Sequence, residues 1–384
     1  MIFDIKFEKI PVGIAAESVR NKTKIKIITR EFISSTAGDL FFSRLDQFPS
    51  EILSKVSKEK NIKESNVDHM VVVINKNLKA KVYINEINFL SEVQVKRPVK
   101  KGEEVRKNDI SEITNFYPRE EIPIEPENGI LILFSVGWRK GLYFDFTPLH
   151  PKSSETIDYD VWGAIGRYYS YILFGERFSI SKEQWKYFFT NKMYPFISLK
   201  TETINMMLNY ARENWPIEEL IKKIGVEVGE LLPLFIDSWQ KNPGIKKDSV
   251  LLERASERFF KKDYISCISI LYPRIEGIIR SYFINDFKKK RITQKDFANS
   301  LVKDYKFKES YSLILPEKFK AFMIEVFFAS FDPTIKADLS KNSLAHGVID
   351  ENEFSQLGAS MGFLILDQIS KIIRINEKNK NMRK

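Results

Sequence analysis

The residue pattern changes period near position 150, and that change restricts the chain to a fold in which a sheet precedes a mass of helices. Before it, short β-branched and aromatic runs alternate with turn residues, the two-residue period of strands. Residues 24–28 and 69–75 read as strands, and the second passes through Lys76-Asn77 into 81–85 as a hairpin. A short apolar run at 93–95 leads to a turn at Lys101-Gly102. Runs at 129–136 and 142–146 flank Gly137-Trp138-Arg139-Lys140-Gly141, a second hairpin. A Pro- and acid-rich stretch over 117–128 interrupts the pattern. From about residue 156 the apolar spacing moves to the helical 3.6, predicting helices over 159–174, 182–190, 201–214, 217–224 and 229–239.

A polar Pro-Gly stretch at 241–248 marks a second boundary. Beyond it helices are expected at 249–262, 264–285, 318–331 and 353–373, with the basic cluster 288–291 as a solvated loop or helix end and the tail from 376 frayed. The fold class is α+β. It comprises a β-rich α+β domain over 1–150, a helical region over 151–241 and an all-α bundle over 248–374.

Composition narrows the function classes. With 43% hydrophobic and 13% aromatic residues, the 384-residue chain can bury proper cores. A single cysteine excludes an internal disulfide framework, and with three scattered histidines it leaves little material for a zinc site. No metal or cofactor is expected. The opening MIFDIKFEKI is charged where a signal peptide needs an apolar run, and no stretch is apolar enough to span a bilayer. A cytoplasmic protein with no membrane partner is expected. The net charge of +10 suits an acidic partner such as RNA. It also reflects a lysine-heavy composition, 44 Lys against 17 Arg.

Two aromatic groups invite a binding role. Trp138-Arg139-Lys140 sits where a hairpin tip could stack on a nucleotide, or form an ordinary polar turn. The row Trp162, Tyr168, Tyr169, Tyr171 and Phe174 has the helical spacing of core residues. Chemistry concentrates instead in Lys341-Asn342-Ser343-Leu344-Ala345-His346-Gly347. In a helix Asn342 and His346 stand about 40° apart on one face, whereas Lys341 and His346 are about 140° apart. Histidine can move a proton near neutral pH, and a cation and an amide can steady a phosphate. A two-fold interface would present the patch twice, so that two histidines and two cations flank one phosphodiester. The same residues also read as a capped helix end: Asn342 as a cap, His346 in the last turn and Gly347 as the left-handed terminator.

The helical bundle resembles the HEPN domains, whose RNases carry an Arg-polar-x3-His motif. Asn342 and His346 match its polar and histidine positions, and Ala345 and Gly347 its frequent small residue and glycine. The run Leu271-Tyr272-Pro273-Arg274-Ile275-Glu276-Gly277-Ile278-Ile279-Arg280 resembles the family's second-helix signature. The resemblance covers 248–374. It implies a homodimer that cleaves RNA without a metal, as a stress or phage-defence effector whose N-terminal region senses a trigger. It assigns His346 as acid/base, Lys341 as phosphate cation and Asn342 as orienting group. Arg274, Glu276 and Arg280 are the supporting candidates, with Glu276 and Arg280 also spaced for an i,i+4 ion pair. Lys341 stands where the family has arginine, and lysine lacks the bidentate fork. The alternative is therefore a catalytically silent HEPN-like module for dimerisation, RNA binding or recruitment. A third reading is a small-ligand sensor centred on the N-terminal region.

Overall fold

Strands β1 (Ile2–Lys6), β2 (Ile14–Ala15), β3 (Ile27–Ile28) and β4 (Arg30–Ser34) precede helices α1 (Asp39–Leu45) and α2 (Phe48–Lys60). Then come β5 (Met70–Ile74), β6 (Lys79–Ile84), β7 (Phe89–Val95), β8 (Ile110–Pro118), β9 (Gly129–Val136) and β10 (Arg139–Asp145). The computed structural model describes residues 1–16, 25–60, 62–63, 66–284, 292–303, 311–332 and 334–382. Lys24, the cluster 288–291 and Asn285 therefore lie outside the described residues.

Six strands form one antiparallel sheet in the order β1-β6-β5-β9-β10-β4. Its central strands read as continuous apolar runs because both faces are covered. On β9, Leu131 and Leu133 join α1 and α2 residues such as Phe41, Ile52 and Val56 in one core. The alternate residues Ile130, Ile132, Phe134 and Val136 join Val161, Ile165 and Ile172 of α3 (Val161–Leu173) in another. Gly141 is required at the crossing, since a Cβ there would meet the Phe134 ring at 2.6 Å and Ile172 at 2.8 Å. Of the aromatic row, Trp162, Tyr168, Tyr169 and Tyr171 pack against this second core, with Tyr168 stacked on Phe32 at 3.9 Å, while Phe174 is buried just past the end of α3.

The hairpin tip differs from a binding platform. Trp138 is 84% exposed beyond Gly137 at φ +61°, but its neighbours are committed. Arg139 donates to the Ile172 carbonyl at 3.2 Å and Lys140 to the Val67 carbonyl at 2.5 Å.

The chain divides into two compact units, 1–93 with 113–175, and 94–112 with 176–384. The stretch 151–241 is thus shared, its first 25 residues going with the sheet, rather than standing as a region of its own. Besides the end of β7 and the start of β8, the second unit holds the helices α4 (Gly175–Phe178), α5 (Lys182–Thr190), α6 (Thr201–Glu213), α7 (Glu218–Gln240), α8 (Ser249–Phe260), α9 (Tyr264–Phe283), α10 (Gln294–Leu301), α11 (Pro316–Phe322), α12 (Lys341–His346) and α13 (Gln356–Met382). The chain has the α+β composition its patterning implies.

Three boundaries depart from expectation. The stretches 217–224 and 229–239 form one helix, α7, which runs through Gly225, Gly229 and Pro233. Its buried stripe of Leu220, Ile224, Val228, Leu232, Phe235 and Trp239 outweighs the cost of the helix breakers. α11 ends at Phe322 and continues as a π turn over Met323–Phe327. The tail from 376 does not fray there: α13 continues to Met382, with Asn376 buried.

Two buried carboxylates of the second unit are paired within it. Asp367 accepts from Ser198 and Lys371, and Glu227 from Thr203 and the Lys200 amide. Lys96 places its ammonium 2.6 Å from the Leu199 carbonyl. Burial, reinforced by Arg177 and Lys371 and opposed by Glu227 and Glu202, drives its pKa down to about 7. An unfolded lysine keeps its proton to about pH 10. Between these values the unfolded chain binds more protons than the folded one, so stability rises with pH, by up to about tenfold in the folding constant per unit. Lys96→Met should flatten that rise, read as Tm from pH 7 to 10 for both proteins. Parallel curves would refute the assignment.

Candidate functional site

The segment carrying the histidine motif is closed on itself before it meets anything else. Ala337 and Ile349 form a parallel bridge, with Ala337 N donating to Val348 O at 3.1 Å. Lys336 and Asp350 pair beside it at 2.7 Å. Between them α12 has six residues, too short to persist without tertiary support. Ser340, not Asn342, caps it: the Ser340 hydroxyl accepts from Ser343 N at 3.1 Å, and Ser340 N donates to the Ser343 hydroxyl at 2.9 Å. At the other end Gly347 takes φ +68° and donates to Leu344 O, while Val348 N donates to Ser343 O. This is a Schellman ending, which a Cβ at Gly347 would strain.

Lys341 and Asn342 dock the helix. The Lys341 ammonium forms an ion pair with Glu276 of α9, and both side chains are largely buried. Arg280, one turn along α9, donates to the same carboxylate at 2.9 Å and lies over the Phe297 ring at 4.9 Å. Burial of Glu276 pushes its pKa up, but the bonds from Lys341 and Arg280 outweigh it and hold the carboxyl below its usual range. Asn342 and Gln294 of α10 exchange hydrogen bonds at 2.5 and 2.9 Å. Asn342 also donates to the Phe328 carbonyl at 2.9 Å, one of the groups left unpaired where the π turn ends.

His346 is left facing out. It is exposed in the last turn of α12, with its ring 5.2 Å from that of Phe331. Helix geometry sets it about 140° around from Lys341. The structure thus brings Lys341, Glu276 and Arg280 together, sets Asn342 beside Gln294, and sends Arg274 elsewhere, 3.7 Å from Asp248. Chemically the arrangement offers one accessible imidazole beside an aromatic ring, backed by a cluster of two cations and one carboxylate.

Sequence reasoning missed Gln294, Phe331 and Ser340. The Ser340-x-x-Ser343 spacing is a legible cap signal, whereas the contacts of Gln294 and Phe331 join positions far apart in the chain. No group of three or more metal-ligating side chains occurs among the described residues. Among the same residues, no helix is long and apolar enough to cross a membrane. No family model, curated protein or solved structure matches the chain.

Proposed function

We propose that the chain is a HEPN-type endoribonuclease in which His346 carries the proton transfer. The observation that supports this is the outward presentation of His346 on a helix capped at both ends and docked by its other polar residues. A histidine so held can take the proton of an RNA 2′-OH as that oxygen attacks phosphorus, or return one to the 5′-oxygen as the P–O5′ bond breaks. The products would be a 2′,3′-cyclic phosphate and a free 5′-hydroxyl. Lys341 shares its charge with Glu276, so it steadies the phosphate at a distance rather than gripping it. The net positive charge favours an RNA partner, and pairing of two copies about this surface would place two histidines at one phosphodiester. A cytoplasmic stress or phage-defence effector, triggered through the sheet-bearing unit, is the setting this reading suggests.

A second reading is a silent HEPN-like module for RNA binding, dimerisation or recruitment. It draws support from Lys341 and Asn342, whose bonds are used in docking α12. Incubating the purified protein with single-stranded RNA in EDTA separates the two. Cleavage that leaves cyclic phosphate ends supports the enzyme; intact RNA with retained binding supports the module.

A further inference from the structure

Beside α12 the surface opens into a groove of about 500 Å³. Its walls come from the end of α5, the π turn and residues 329–332 and 335–340. π turns recur at functional sites because they displace backbone from the regular helix. Phe331, Ala329 and Ile335 supply apolar lining, and Asp332, Asp338 and Lys336 polar lining. Phe331 is also the ring beside His346, so the groove begins next to the proton-transfer group.

Charge decides what fits. Lys336 is paired with Asp350, and Lys192, also in the lining, is paired with Glu353. Asp338 is 83% exposed, and Lys192 lies 3.4 Å from its carboxylate. Asp332 accepts from the Thr334 amide at 2.9 Å and hydroxyl at 2.6 Å, both on Oδ1, so that among the described residues Oδ2 is left for another donor. With Glu325 also in the lining, the groove repels a phosphate and welcomes N–H donors. Its volume suits a nucleoside, and single-stranded RNA is read by splayed bases stacked on aromatic rings and bonded at their edges.

Among the bases, guanine presents adjacent N1–H and N2–H donors that a carboxylate accepts in pairs. Adenine and uracil place acceptor atoms on the same edge, and these would face the carboxylates unfavourably. We propose that this groove receives a guanine base of single-stranded RNA, with Asp338 and Asp332 accepting its edge donors and Phe331 against its face. The proposal rests on the ribonuclease reading and adds a base preference to it: the bound guanine would lie next to the phosphate that His346 addresses.

The test uses full-length His346→Ala protein, which separates binding from turnover, and labelled hexamers of uridine carrying one central G or one central A. Fluorescence anisotropy should show the G hexamer binding about tenfold tighter than the A hexamer. Asp338→Asn, at an exposed position, should remove most of that preference. Ala329→Trp, which fills the groove, should do the same, with Tm confirming that it folds. Equal affinity for G and A, or a preference that survives both substitutions, would overturn the proposal. The two readings fail separately. Cleavage by the unsubstituted protein without a G preference sinks the groove and spares the ribonuclease. A G preference without cleavage does the reverse.

Discussion

His346→Ala should lower RNA cleavage by about 10²- to 10⁴-fold, the usual contribution of a positioned acid/base group. Stability should hardly change, because His346 is exposed and its ring contact is with Phe331 alone among the described residues. RNA binding should also persist, since the charge that attracts RNA is spread over the chain. Gel assays of initial rate, with Tm and anisotropy alongside, separate these effects. His150→Ala is the matched control: that ring accepts a hydrogen bond from the Lys152 amide in the sheet-bearing unit and should be silent in cleavage. Loss of activity in both variants, or in neither, would remove His346 from the mechanism.

Glu276→Gln should destabilise the second unit by about 3 kcal/mol, the scale for breaking a buried ion pair from one side. The substitution leaves the Lys341 ammonium, only 18% exposed, without its anion. Arg280 adds little to the loss, because at 49% exposure water screens it. Removing the stranded charge as well, in Glu276→Gln with Lys341→Met, should recover most of the stability. Urea unfolding of the wild type, the two single variants and the double variant closes this cycle, and additive losses would deny the pairing.

The pair has a pH signature with a fixed sign. The folded pKa of Glu276 lies below its unfolded value, so its contribution is fully present above about pH 4.5. It is lost as pH falls through the folded pKa. Glu276→Gln should therefore resemble the wild type more closely as the solution becomes acidic.

Much of the fold was legible because burial leaves a period in the sequence. β9 shows no alternation, because both its faces are covered, but its continuous apolar run is legible as a strand since Gly129 and Gly137 bound it. α5 reads directly from its Ser181 cap and apolar spacing. α7 does not, because Pro233 and two glycines signal breaks that packing overrides. The early helices α1 and α2 escaped notice, as did α10, which is only eight residues long although Thr293 and Asp296 cap it. The π turn is invisible to a 3.6-residue period by its nature.

At the candidate site, the sequence by itself determined that a histidine ends a short capped helix. Ser340, Ser343 and Gly347 are local signals, and local hydrogen bonds enforce them. It also placed Glu276 and Arg280 one helical turn apart, which fixes their bond. Only the tertiary structure decided where Lys341 and Asn342 point. Glu276 lies 65 positions before Lys341 and Gln294 lies 48 before Asn342, so no periodicity links them. A buried cation must find an anion, and the unpaired carbonyls at the end of the π turn must find a donor. Those two demands turn Lys341 and Asn342 inward and leave His346 facing solvent.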